Sequence, residues 1–94
     1  MELKDTIEMM NSTDYKERFI AEYQQTKIRY EKLKAFNNKI EAAHRTQYTE
    51  HLDCKKVVMP NCSCPSDLLN QQQHIMGEYL HILEVRAVIE GINL

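Results

Sequence analysis

Between Thr13 and Arg45 the chain carries neither glycine nor proline. Within that stretch Phe19, Tyr23, Thr26, Tyr30, Leu33, Asn37, Ile40 and His44 recur at alternating spacings of four and three. Such spacing returns side chains to one line of an α-helix, and here it holds for more than three heptads. The pattern predicts a long helix over 13–45, roughly 50 Å long at a rise of about 1.5 Å per residue. The line is not purely aliphatic. Tyr23, Tyr30, Asn37 and His44 fall at equivalent positions and give it a polar-tipped edge.

A second pattern follows residue 65. Leu68, Ile75, Ile82 and Ile89 are spaced by seven, as are Leu69, Met76 and Leu83. On a helix the two lines flank Gln72, Tyr79 and Arg86, and the apolar arc spans about half the circumference. Pro65 suits a helix's first turn, with Ser66 and Asp67 beside it, and Gly91 suits a C-cap after about Glu90. Gly77 lies inside this helix, where it costs about 1 kcal/mol against Ala and permits close approach of another backbone or ring.

The remaining segments punctuate. Residues 3–10 can form a short helix with Ile7 and Met10 on one side, ended by Asn11, Ser12, Thr13 and Asp14, which favour turns and N-caps. Pro60 and the run Asn61-Cys62-Ser63-Cys64 mark irregular backbone. The expected architecture is one all-α domain over 1–94. It has a short N-terminal helix and turn (1–12), a long helix (13–45), a loop (46–64) and a second long helix (65–94). The two long helices are expected as an antiparallel hairpin. One partner helix cannot cover half a circumference of apolar side chains, so the hairpin is expected to oligomerise.

Composition narrows the function classes. The 94 residues include only 2 Gly and 2 Pro, with 43% hydrophobic and 28% charged residues and a formal net charge of −2. Few breakers and many straight-chain residues favour helix. The negative balance argues against a duplex-DNA binder, though not against a small anionic ligand. No apolar run approaches the ~20 residues of a membrane span. The opening MELKDTIEMM is acidic and lacks an apolar core, so no secretory signal is expected, and three cysteines without one are expected reduced.

Several residues could carry chemistry. Lys27 and Lys34 each follow a seam tyrosine by four, and Lys16 precedes Ile20 on the same line; such lysines could hold a phosphate while a ring stacks on a base. They could equally pack their stems and solvate their charges. Arg18, beside Phe19, could serve a ligand or pair with Glu22 at i+4. Arg86, inside the apolar arc, needs either an ion pair, with Glu90 or another subunit's carboxylate, or a bound anion. Around a symmetry axis, repeated Arg86 side chains would repel one another unless an anion lay between them. His51, Cys54, Cys62 and Cys64 have zinc-ligand chemistry but a poor spacing, and a plain reduced loop is the favoured reading. No phosphate loop, HExxH motif or nucleophile elbow is visible, so no catalysis and no cofactor are expected. His74 and His81, seven apart, read as part of a polar face.

The segments DYKERFIAEYQQTKIRYEKL, CPSDLL and MGEYLHILEVRAVIEGI resemble the small phage and prophage anti-CBASS cyclic-nucleotide sponges. The resemblance covers both long helices, and the segment with Cys54 and Cys62 looks like an insertion. It implies a homohexamer in the cytoplasm of an infected bacterial host. It further implies binding of cyclic dinucleotides and cyclic trinucleotides without cleavage, so that CBASS effectors are not activated. Dinucleotides would be held at subunit interfaces by an aromatic (Phe19 or Tyr15) and a lysine (Lys34 or Lys27) of the first long helix. Trinucleotides would be held by arginines, Arg18 and Arg86, around a symmetry axis. The competing class is a structural or adaptor helical oligomer that binds another protein.

Overall fold

The computed structural model describes residues 1–48 and 55–94. A 3₁₀ turn, Leu3–Thr6, leads into a one-turn helix α1, Ile7–Met10. Two long helices follow: α2, Tyr15–Thr46, and α3, Ser66–Glu90. No strand occurs among the described residues.

Each boundary has a local cause. Asp14 is the N-cap of α2, and its carboxylate accepts from the Lys16 amide at 3.0 Å. That bond satisfies one of the amides a helix start leaves without an intrahelical partner. Ser12 Oγ in turn accepts from the Asp14 amide at 3.0 Å, which fixes the turn between α1 and α2. At the start of α3, Pro65 holds the N-cap position and the helix begins one residue later, at Ser66. At its end Gly91 adopts φ 70° and ψ 36°, the left-handed conformation that costs a residue with a Cβ about 1–2 kcal/mol. The Ile92 amide then donates back to the Ala87 carbonyl at 2.9 Å. This turn stops the helix at Glu90 and folds Ile92 into the core.

The two long helices meet along the expected seam. Phe19 and Tyr23 of α2 form one core cluster with Leu80, Leu83, Ala87 and Ile92. Near one end the Tyr23 hydroxyl donates to the Glu84 carboxylate at 2.8 Å. Toward the other, Asn37 Nδ2 donates to Gln73 Oε1 at 2.9 Å and to the Leu69 carbonyl at 3.2 Å. As α2 advances its partners in α3 recede, so the helices run in opposite directions. A Cβ at Gly77 would stand 3.3 Å from Tyr30 Cε1, so the mid-helix glycine admits the tyrosine ring against α3. The N-terminal turns cover another side of α2. Thr6 is fully buried there, and Gln25 Nε2 donates to its Oγ1 at 2.9 Å.

Only half of the apolar arc of α3 is covered. Leu83 has no exposed surface, whereas its neighbour Ile82 keeps 53%. Leu68, Ile75, Tyr79 and Ile89 lie with Ile82 on one exposed stripe, and Val85 and Val88 widen it. Within the single chain this apolar row has no cover among the described residues.

Replacing Gly91 with Ala should destabilise the chain by about 1–2 kcal/mol, because a Cβ opposes the positive φ that returns Ile92 to the core. For a chain of this size the melting temperature should fall by roughly 4–8 °C per kcal/mol. A melt unchanged from wild type would show that the turn contributes nothing to stability.

A candidate anion site at the open end of the helix pair

The end of the helix pair formed by the first turn of α2 and the last turns of α3 gathers three of the six candidate ligand residues. Tyr15 is the first residue of α2, and Phe19 follows four residues on along the same face. Their rings lie 6.1 Å apart, tilted by 60°. Because α3 runs the opposite way, Arg86 arrives here from its last turns. Its guanidinium sits over the Phe19 ring, 5.0 Å from the centroid. Arg86 Nη2 donates to the Tyr15 hydroxyl at 2.6 Å, and Nε donates to Glu90 Oε2 at 3.3 Å. The Arg86 side chain keeps 46% of its surface and that of Glu90 33%. An exposed ion pair of this kind is worth about 0–1 kcal/mol.

The charge of Arg86 therefore stands at the surface, compensated by a carboxylate one turn ahead and a phenol from the other helix. The ring of Phe19 is buried, at 3% exposure, and serves as the floor under the guanidinium. The Tyr15 hydroxyl is pushed above its ordinary value, first by its hydrogen bond to the Glu90 carboxylate and then by desolvation. Arg86 thus bridges the Tyr15 phenol and the Glu90 carboxylate. A guanidinium on an aromatic floor, flanked by a phenol, can receive a phosphate on its open side while a planar base lies against the exposed Tyr15 ring.

The other candidates lie apart. Arg18 does not pair with Glu22. Its Nη1 donates to the Ser12 carbonyl at 2.9 Å, bracing the turn before α2, while Glu22 accepts from the Tyr79 hydroxyl. Lys27 lies over the Tyr23 ring, 5.9 Å from its centroid, with Glu31 and Glu84 lining the same groove. Lys34 is exposed. It stands fifteen residues beyond Phe19, roughly 22 Å along the helix at about 1.5 Å per residue. Arg86 and Lys34 of one chain therefore cannot grip one small ligand. Glu90 entered the sequence reading only as an ion-pair partner, yet it is the fourth member of the cluster; its spacing of four from Arg86 was the available signal.

Of the candidate metal ligands, His51 and Cys54 lie outside the described residues. Cys62 and Cys64 are exposed free thiols, with Cys62 Sγ donating to the Cys64 carbonyl at 2.8 Å. His74 pairs with Glu78 at 3.2 Å. Both line an open groove of about 750 Å³ with His81, Tyr30 and Gly77. No described helix is long and apolar enough to cross a membrane.

The sequence model of a protein family named Sequestin matches residues 13–89, from the turn before α2 to the last turn of α3. The chain belongs to the Sequestin family. Sequestins are the anti-CBASS cyclic-oligonucleotide sponges, which is the resemblance carried by the two helical segments. No curated protein and no solved structure matches the chain. Within this Sequestin the match takes in Tyr15, Phe19 and Arg86 but stops one residue before Glu90.

Hydrogen bonding to carboxylates makes the fold sensitive to alkali. Tyr15 and Tyr79 are raised first by their hydrogen bonds to Glu90 and Glu22, and Tyr23 first by burial. Groups whose folded pKa is raised stabilise fully below the unfolded value, near 10.0, and lose that contribution as pH climbs through the folded value. The melting temperature should therefore fall above pH 10, and Tyr23→Phe should flatten part of the fall. An equally steep fall in that variant would exclude the Tyr23–Glu84 pair as a source.

Proposed function

We propose that this Sequestin binds cyclic dinucleotides and cyclic trinucleotides and withholds them from CBASS effectors without cleaving them, acting in the cytoplasm of an infected bacterial host. The observation that carries the reading is membership of the family across both long helices. The cluster at the open end supports it. A surface guanidinium over an aromatic floor has the chemistry to hold one phosphodiester of a cyclic oligonucleotide. The ligand would be held rather than transformed.

The working unit of this proposal is a homo-oligomer, a hexamer by family likeness, built from antiparallel hairpins. Its support is the uncovered stripe of Leu68, Ile75, Ile82 and Ile89, which needs a neighbour. Oligomerisation also bears on the scattered basic residues. Lys34 is too far along α2 to join Arg86 within one chain, but a second copy can bring a lysine of one chain beside an aromatic of another. In this reading the dinucleotide site uses Phe19 or Tyr15 with Lys34 or Lys27 across an interface, and the trinucleotide site uses Arg86, with Arg18, around an axis.

The same stripe also favours an adaptor that docks a different protein. A thermal melt separates the two. Saturating cyclic GMP-AMP or cyclic tri-adenylate at about 100 times Kd should stabilise a sponge by about 2.7 kcal/mol. An adaptor should not respond.

Arg86→Ala should weaken cyclic trinucleotide binding by roughly 10- to 100-fold, the range for losing a charge-assisted contact of about 1.5–3 kcal/mol. Assembly measured by light scattering should be retained. A variant that dissociates to monomers would place Arg86 in the structural frame instead. Ligand released by heating should be recovered as the intact ring, and a linear product would overturn the sponge reading.

A further inference from the structure

Two donors of Arg86 are engaged in the free chain, and they lie on one edge of the guanidinium. Nε faces Glu90 Oε2 and Nη2 faces the Tyr15 hydroxyl oxygen. That edge is the fork with which arginine grips two oxygens of one phosphate. The Glu90 carboxylate and the Tyr15 phenol thus present two oxygens where a phosphodiester would present its own.

We propose that Glu90 is an exchangeable counter-ion, a stand-in for ligand phosphate that a bound cyclic oligonucleotide must displace from Arg86. The proposal rests on the anion-site reading above. Three observations make the exchange feasible. The Glu90 side chain keeps a third of its surface and has water to move into. It is the last residue of α3, at the edge of the helical hydrogen-bond network, and Gly91 beyond it carries the turn. Its contact with Arg86 is long, at 3.3 Å, whereas the Tyr15 contact is 2.6 Å, so the carboxylate is the looser of the two. In the empty site Glu90 neutralises the guanidinium and keeps it spread over Phe19. In the filled site the carboxylate stands beside a phosphate of like charge and turns to solvent.

The exchange makes Glu90 a determinant of specificity. An anion offering a single charge trades one ion pair for another and gains little. A cyclic oligonucleotide brings further phosphates and bases whose contacts have no competitor, so the carboxylate filters out simple anions at the cost of some affinity.

The test is calorimetric titration of cyclic GMP-AMP and cyclic tri-adenylate into wild type, Glu90→Gln, Arg86→Ala and the double variant, at low salt. Glu90→Gln keeps the shape and removes the charge. It should bind the ligand of this site roughly two- to fivefold more tightly, the range expected when a competing exposed ion pair is removed. Inorganic phosphate, which does not measurably bind wild type in this scheme, should compete in Glu90→Gln. In the Arg86→Ala background the Glu90 substitution should have no effect, as a double-mutant cycle on one pair requires. Equal or weaker binding by Glu90→Gln, with Arg86→Ala still impaired, would overturn the exchange and leave the site standing. In that event Glu90 positions Arg86 rather than competing for it. Binding of both ligands unaffected by Arg86→Ala would overturn the site and the exchange together.

Discussion

Two helices laid side by side each bury one line of side chains, and this constraint organises the whole chain. α2 has a single seam, and α3 meets it with Leu80, Leu83 and Ala87. The apolar arc of α3 is wider than that contact. Its surplus, from Leu68 through Ile82 to Ile89, remains on the surface. The short N-terminal turns cover a different side of α2, around Thr6 and Gln25, and so do not relieve it. What the second helix cannot bury on the first is what a binding oligomer would use.

The same packing builds the polar site. Opposite chain directions bring residue 15 beside residue 86, so the start of one helix and the end of the other supply a single cluster. Phe19 links core and site. It belongs to the buried cluster with Leu83 and Ile92, and it also carries the guanidinium of Arg86. The turn at Gly91 secures this arrangement, because Ile92 packs under the helix end that holds Arg86 and Glu90.

Much of the fold was legible in the sequence. The expected helix at 13–45 is observed at Tyr15–Thr46, and the one expected from Pro65 begins at Ser66 and ends at the glycine that marked its cap. Those boundaries are local properties of capping residues and breakers. The split of the apolar arc was not legible, because Ile82 and Leu83 are adjacent apolar residues whose fates differ only through the placement of α2. The site was half legible. Arg86 with Glu90 follows from helical spacing, but Arg86 with Tyr15 joins residues seventy-one apart and depends on axial alignment. The Arg18–Glu22 pair that helix spacing offered does not form, because the turn before α2 supplies a carbonyl to Arg18 and Tyr79 donates to the carboxylate.

Seams built on heptads have a weakness: a slide of one helix by seven residues matches apolar rows almost as well as the native alignment. The notch at Gly77 removes that ambiguity. Tyr30 packs against α3 where a side chain is missing and even a Cβ would be tight, and a slide by seven would bring it to Asn70 or Glu84. The glycine therefore acts as a vernier mark, setting how far α3 is pushed along α2. Tyr15, fifteen residues before Tyr30, and Arg86, nine residues after Gly77, inherit their alignment from that mark.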